Sequence, residues 1–167
     1  MPILESERLL LREFVPGDVE ALSAMLSDPE TMRYYPAPLD RAGVGEWIER
    51  NRRRYADAGH GLWAMVLKSS GEVVGDCGLT RQTVDGVGEI EIGYHVRRDL
   101  WGQGYAPEAA RACRDYGFAR LGAEQLISLV RLGNLPSRRV AEKIGMSLWK
   151  EVMWSDLAHW VFVIRRT

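Results

Sequence analysis

Residues 101–109 read Trp101-Gly102-Gln103-Gly104-Tyr105-Ala106-Pro107-Glu108-Ala109. Upstream, Glu89 to Val96 alternates polar and apolar residues as a half-buried strand does. Downstream, Gly104 to Leu121 brings Ala106, Ala109, Ala110, Cys113 and Gly117 close to one helical face. The quoted stretch is therefore a strand-to-helix turn. Its glycines permit tight curvature and close approach of a ligand to the backbone. Pro107 suits an early helical position, where its missing N–H would have had no helical partner. The free N–H groups of the helix start point at whatever lies before them, and the helix dipole favours negative charge there. A diphosphate fits this description; a glycine-rich turn used only for packing fits it too. The stretch is no P-loop, because no Gly-Lys-Ser/Thr follows. It also lacks the third glycine of a dinucleotide fingerprint and comes after several strands.

Outward from the turn, the chain alternates cleanly between elements. Ser6–Arg12 reads as a first strand, and Asp18 is a candidate N-cap for a helix carrying Val19, Leu22, Met25 and Leu26. Pro36 and Pro38 keep the next stretch a loop, and Arg41–Ala58 is helical up to Gly59 and Gly61. Leu62–Leu67, apolar throughout, predicts a strand buried on both faces. Glu72–Thr80 follows, and the Asp85-Gly86 turn leads into Glu89–Val96. After the Gly104–Leu121 helix come a strand at 125–131, a helix at 135–143 and a hairpin from Ser147 onward. Three successive strands suggest antiparallel neighbours, and the later strand–helix–strand unit a parallel pair with a right-handed crossover. The expectation is a mixed α/β fold, with a central sheet of about seven strands flanked by about four helices.

The chain has 167 residues, 46% hydrophobic and 27% charged, with net charge −1. That length suits one domain, residues 1–167, with a sizeable core. Near-neutral charge argues against bulk capture of nucleic acid. No apolar run approaches the ~20 residues of a membrane span, and the first residues show no secretory pattern. The two cysteines, Cys77 and Cys113, form no disulfide framework or zinc motif, and His60, His95 and His159 lie far apart. A cytoplasmic, metal-free protein is expected; its oligomeric state, a homodimer included, stays open.

The sequence resembles the GNAT-type N-acetyltransferases, in particular the branch that holds the ribosomal-protein N-terminal acetyltransferases. Trp101-Gly102-Gln103-Gly104-Tyr105-Ala106 matches the superfamily's Arg/Gln-x-x-Gly-x-Gly/Ala motif, with tryptophan in first place as in this branch. Ser6-Glu7-Arg8-Leu9-Leu10-Leu11-Arg12, Glu91-Ile92-Gly93-Tyr94, and Asn134-Leu135-Pro136-Ser137 running to Glu142-Lys143-Ile144-Gly145-Met146 agree in the same order; phenylalanine is commoner than Met146 in its place. The likeness covers nearly the whole chain. It implies a parallel pair of strands splayed at a cofactor cleft, with acetyl-CoA as co-substrate. Gly102, Gln103, Gly104, Tyr105, Ala106 and Pro107 would wrap its pyrophosphate. Tyr94, His95 and Val96 would present backbone to the pantetheine arm, and Asn134 would touch the same arm. It further implies an acceptor pocket lined by Tyr34, Tyr35 and Trp47.

Acetyl transfer to an amine requires a neutral amine, a polarised carbonyl and a protonated leaving thiolate. On the 89–96 strand, Ile90, Ile92, Tyr94 and Val96 share one face, leaving Glu89, Glu91, Gly93 and His95 on the other. That second face is a proton-accepting wall, with Glu91 the favoured base and Glu89 and His95 as alternates; a solvated strand face is the structural alternative. A backbone N–H near Val96 suits polarisation of the thioester carbonyl. Many superfamily members supply the proton donor from a tyrosine after the asparagine, but Arg138-Arg139-Val140-Ala141 contains none. Ser137 takes that place, either as donor or as first-turn helix residue capped by Asn134. Some relatives carry an acidic base in the C-terminal hairpin, and the resemblance makes Asp156 the nearest candidate for it here. Neither cysteine suits an acyl-enzyme, so direct transfer is expected. Arg50, Arg52, Arg53 and Arg54 read as a solvated helix end, and Arg97, Arg98, Arg138 and Arg139 lie near the ends of the presumed cleft. The competing readings are, from another class, a noncatalytic acyl-CoA-binding module and, third, an S-adenosylmethionine methyltransferase.

Overall fold

Six consecutive apolar residues, Leu62–Leu67, form strand β3, and all six are buried. Alternation explains why no polar break is tolerated: Trp63, Met65 and Leu67 join one core cluster, and Leu62, Ala64 and Val66 join another on the opposite face. The computed structural model describes residues 1–167 and builds the remaining elements around this strand. These are β1 (Pro2–Glu5), β2 (Leu9–Arg12), α1 (Val19–Leu26), α2 (Arg41–Ala58), β4 (Val73–Val84), β5 (Val87–Val96), α3 (Tyr105–Ala119), β6 (Gln125–Arg131), α4 (Leu135–Lys143), β7 (Ser147–Trp154) and β8 (Leu157–Arg165). One eight-stranded sheet runs in the order β1-β2-β3-β4-β5-β6-β8-β7. Every neighbouring pair is antiparallel except β5 and β6, which are parallel. No helix is long and apolar enough to cross a membrane.

Helices cover both faces. On one, Ala109, Ala110 and Cys113 of α3 and Ala141 of α4 pack on Trp63, Cys77, Leu79 and Ile92. Small residues bring α3 close: a Cβ on Gly117 would meet Leu126 at 3.0 Å. On the other face, Leu22, Met25 and Leu26 of α1 and Val44 and Ile48 of α2 cover Leu62, Ala64, Val66 and Val73. Asp40 caps α2 by accepting from the Gly43 N–H at 2.7 Å, and Gly59 ends it in a left-handed conformation (φ 80°).

The structure departs from the sequence expectation in two places. There are eight strands rather than about seven, because the predicted Ser6–Arg12 strand is the second half of a hairpin whose first half is β1. Asp18 makes no side-chain cap for α1. Its carboxylate instead accepts from the Val15 N–H at 2.9 Å and takes both Arg12 guanidinium nitrogens at 2.9 Å. A buried carboxylate is better matched by a cation and an amide than by one helix N–H.

At Gly78, β4 runs so close to the entry of β3 that an added Cβ would overlap the Gly61 carbonyl and lie 2.7 Å from Leu62 Cα. Backbone cannot swing aside as a side chain does. Gly78→Ala is expected to destabilise the fold by about 2 kcal/mol or more, seen in a thermal melt as a Tm lower by about 4–8 °C. An unchanged Tm would show that the two strands separate freely here.

Candidate active site

Between β5 and α3 the backbone turns through Gly102 (φ 77°) and Gly104 (φ 83°), both in the left-handed region that glycine adopts without strain. The N–H groups of residues 102 to 106 donate to no atom of the chain. The first backbone bond of the helix start is Glu108 N–H to the Gly104 carbonyl, at 3.2 Å. Five consecutive unpartnered donors at the positive end of a 15-residue helix fit a diphosphate. The loop is braced from the other end of the chain. Glu108 accepts from Ser6 Oγ (2.6 Å), the Arg8 N–H (2.8 Å) and Arg8 Nε (2.7 Å). Arg8 in turn donates to the Gln103 carbonyl at 3.0 Å and lies over the Tyr105 ring, 4.2 Å from its centroid. Although burial opposes ionisation, these bonds and the Arg8 charge hold the Glu108 carboxyl below its usual range.

Beside the loop, β5 and β6 pair at a single position, Glu91 with Ile127, and then diverge. Side chains replace the ladder at the mouth of this cleft. Glu91 accepts from the Leu129 N–H at 2.8 Å, and Ser128 Oγ donates to the Ile92 carbonyl at 2.8 Å. Arg97 N–H donates to the Val74 carbonyl, and from there the antiparallel alternation can be counted back along β5. It directs the backbone of His95 toward β4 and that of Tyr94 and Val96 toward the cleft. The Val96 carbonyl accepts from Trp101 Nε1 at 2.7 Å, tying the loop to the strand end.

The two faces of β5 carry different chemistry. Tyr94, on the α3 and α4 side, donates its hydroxyl to the Ser137 carbonyl at 2.8 Å and stands 3.2 Å from Ser137 Oγ. Asn134 accepts from the Ser137 N–H at 3.2 Å and so caps α4. On the opposite face, burial pushes the Glu91 carboxyl up to about 7, against the pull of the Leu129 N–H and Gln82. Glu89 is held at the far end of the strand, with both oxygens accepting from Gln125 Nε2 at 3.0 and 2.8 Å. His95 Nδ1 lies 2.8 Å from Asp76 Oδ1, and Trp47 Nε1 donates to Asp76 Oδ2 at 3.2 Å. The rings of Tyr35 and Trp47 flank the imidazole at centroid distances of 5.1 and 5.6 Å. Tyr34 is reached through its carbonyl, which accepts from Arg131 at 3.1 Å.

Residues 8–147 match the family model described as the acetyltransferase (GNAT) domain. The chain belongs to the GNAT acetyltransferase family. It is 40% identical over 150 residues to the uncharacterized protein YkkB of Bacillus subtilis (strain 168), covering 89% of this chain and 87% of that one. It is 30% identical over 158 residues to the uncharacterized N-acetyltransferase p20 of Bacillus licheniformis, covering 93% and 87%. The structure of RimL, a ribosomal L7/L12 alpha-N-protein acetyltransferase in complex with coenzyme A, superposes with a TM-score of 0.81 at 15% identity over 99% and 98% of the two chains, which shows the shared fold. This GNAT protein is thus an acetyl-CoA-dependent N-acetyltransferase.

Three groups that shape the GNAT cleft escape the sequence reading. Asp76 is one, and a local signal existed for it. A two-residue Asp85-Gly86 turn forces position sums of 171 across β4 and β5, which sets Asp76 opposite His95. The Tyr94 hydroxyl beside Ser137 is the second; no tyrosine lies in α4, and a strand supplies one instead. The third is the Glu108 brace, with no local signal at a separation of 100 residues. Arg54 also departs from the solvated helix end expected for the basic run, since it turns inward to Asn51 Oδ1 at 3.0 Å. Arg97, Arg98 and Arg138 pair with Asp99, Asp28 and Glu142.

If Glu108 orders the anion loop, Glu108→Ala leaves the donors in place but lets them wander. Affinity for acetyl-CoA, measured by calorimetry, is expected to fall about tenfold with the melting curve little changed. Equal affinity would make the brace a feature of folding alone.

Proposed function

We propose that this GNAT enzyme acetylates a primary amine, a protein N-terminal α-amine or a small-molecule amine of similar basicity, which enters between the α1–α2 connection and β5. What carries this reading is the placement of the Glu91 carboxyl at the mouth of the cleft, where it accepts from the Leu129 N–H and burial pushes it up to about 7. An α-ammonium with pKa ~7.7–8.0 gives such a carboxylate its proton at a cost of about 1 kcal/mol, while a lysine at ~10.4 costs roughly 4–5. Glu91 therefore suits the weaker base. Tyr34, Tyr35 and Trp47 line the entry, and Glu89, held by Gln125, is the poorer acceptor of the amine proton.

Acetyl-CoA supplies the activated acetyl group, and the chain's own residues arrange the rest. The amides of Gly102, Gln103, Gly104, Tyr105 and Ala106 hold the diphosphate, with Pro107 fixing the first turn. The Val96 N–H, on the cleft side of β5, polarises the thioester carbonyl. Glu91 takes the amine proton directly or through water, and the Ser137 hydroxyl protonates the leaving thiolate. Asn134 orients Ser137 from the start of α4 and reaches the pantetheine arm with its amide. Transfer is direct: Cys77 and Cys113 face each other in the core with sulfurs 3.6 Å apart, and burial pushes the Cys77 thiol up, away from the nucleophilic thiolate.

Thiol release dependent on an added amine tests the assignment. Because Glu91 must be ionised to act, kcat/KM is expected to rise as pH climbs through about 7. Glu91→Gln is expected to remove that limb, leaving only the amine's own titration, and to lower kcat by about a hundredfold. Ser137→Ala is expected to lower kcat about a hundredfold with acetyl-CoA affinity retained. A wild-type profile in the first variant removes Glu91 from the reaction; a wild-type rate in the second leaves Ser137 a helix-start residue.

A further inference from the structure

Residues 27–40 connect α1 to α2, and the two ends of this connection are well fastened. Met32 is buried in the core cluster beneath α1 and α2. Asp28 accepts from the Thr31 N–H and Oγ1 at 3.1 and 2.7 Å, and the Leu39 N–H donates to the Leu26 carbonyl at 2.8 Å. The middle is different. Residues 33–38, which carry Tyr34 and Tyr35, reach other elements through a single hydrogen bond, from Arg131 Nη1 to the Tyr34 carbonyl at 3.1 Å. Pro36 and Pro38 have no N–H to offer another. A guanidinium donor makes that one bond stronger than a neutral amide would.

The place of the bond follows from strand alternation. Ile127, Leu129 and Arg131 share the face of β6 turned away from α3 and α4, and Ile127 packs there with Val161 and Val163. Arg131 is the last residue of the strand, so its side chain extends past the sheet to the connection. At the other lip of the cleft, Arg98 lies two residues beyond β5 and pairs with Asp28 at 3.5 Å. The connection is therefore tied to both of the strands whose parting opens the cleft. Between the two ties the Tyr35 ring sits 5.1 Å from the His95 ring of β5.

We propose that Arg131 is a positioning residue for the amine acceptor: acting through the Tyr34 carbonyl, it holds Tyr34 and Tyr35 across the mouth of the cleft as a formed wall. The proposal rests on the amine-acetylation reading above, in which these tyrosines line the entry. Without the tie the wall is formed for only part of the time, and the apparent affinity for the acceptor falls by that fraction. The anion loop keeps anchors of its own in Glu108 and Trp101, so acetyl-CoA binding does not depend on Arg131.

Arg131→Met keeps the aliphatic stem and removes the donor. In the thiol-release assay its KM for L-alaninamide is expected to rise about tenfold, with kcat retained and acetyl-CoA affinity by calorimetry unchanged. Arg131→Lys, which still donates, is expected to recover most of the loss. An unchanged KM in folded Arg131→Met, or a loss carried by kcat alone, overturns the proposal. Deuterium exchange reads the wall without turnover. The amides of residues 33–37 are expected to exchange faster in Arg131→Met than in wild type, while those of β3 keep their rate and report an intact fold. Equal exchange at 33–37 overturns the tie. A third measurement needs no variant: in the wild-type protein with coenzyme A, L-alaninamide is expected to slow exchange at 33–37, and no slowing removes the acceptor from the wall. Should no amine be acetylated, the functional reading fails on the assay, while exchange in the variant still decides whether Arg131 holds the segment.

Discussion

Pairing between β5 and β6 lasts for one residue pair, Glu91 with Ile127, and the geometry of the site follows from that brevity. Strands that part company expose backbone groups that must be satisfied by something else. In this protein the first exposed groups are taken by side chains: Leu129 N–H by Glu91 and the Ile92 carbonyl by Ser128. Further along β5, beyond Tyr94, the Val96 carbonyl is taken by the Trp101 indole. Between these ties the Tyr94 peptide faces the cleft, an edge to which an extended, amide-containing arm can add as a further strand. The same carboxylate that stops the cleft from closing is thereby buried, and burial is what brings its titration to neutrality. The position and the titration of Glu91 have one cause.

A second long-range tie fastens an N-terminal segment to the glycine turn that opens α3. Ser6 and Arg8 lie about 100 residues from Glu108, yet all three meet at the first turn of α3. An anion-binding turn rich in glycine has little stiffness of its own. The brace fixes its exit through Glu108 and its crest through the Gln103 carbonyl, while Trp101 fixes its entrance. Three anchors surround five free amides. The donors are held apart from the chain's own acceptors, so that the desolvation of an anion placed here would be offset by donors already in position.

What could be read from the sequence divides along a physical line. Periodicity and punctuation are local, so β3, α2, β6 and α4 lie where composition places them, and the anion loop declares itself through Gly102, Gly104 and Pro107. The face assignment of β5 holds because its pairing with β4 has no bulge. Contacts between distant residues leave no local trace. Ser6 meeting Glu108 and Tyr94 meeting Ser137 depend on how α3 and α4 seat on the sheet, which is set by the volume of Ala110, Cys113 and Ala141 against Cys77 and Ile92. The extra strand β1 was hidden for a related reason: four residues of edge strand carry too short a pattern to separate from a loop.

Asp76 shows that register can make chemistry from residues that look unremarkable alone. A lone aspartate in an apolar strand would normally be neutralised or expelled, since an unpaired buried carboxylate is costly. It stays because the hairpin register brings His95 beside it and α2 brings Trp47 from above. Those two donors satisfy the carboxylate but exhaust only one nitrogen of the imidazole. The strand face therefore carries two ionisable groups, a carboxyl pushed up to about 7 at Glu91 and a buried imidazole held by Asp76 at His95, separated by a glycine. Both groups are placed by the register of β4 and β5, before any loop contributes.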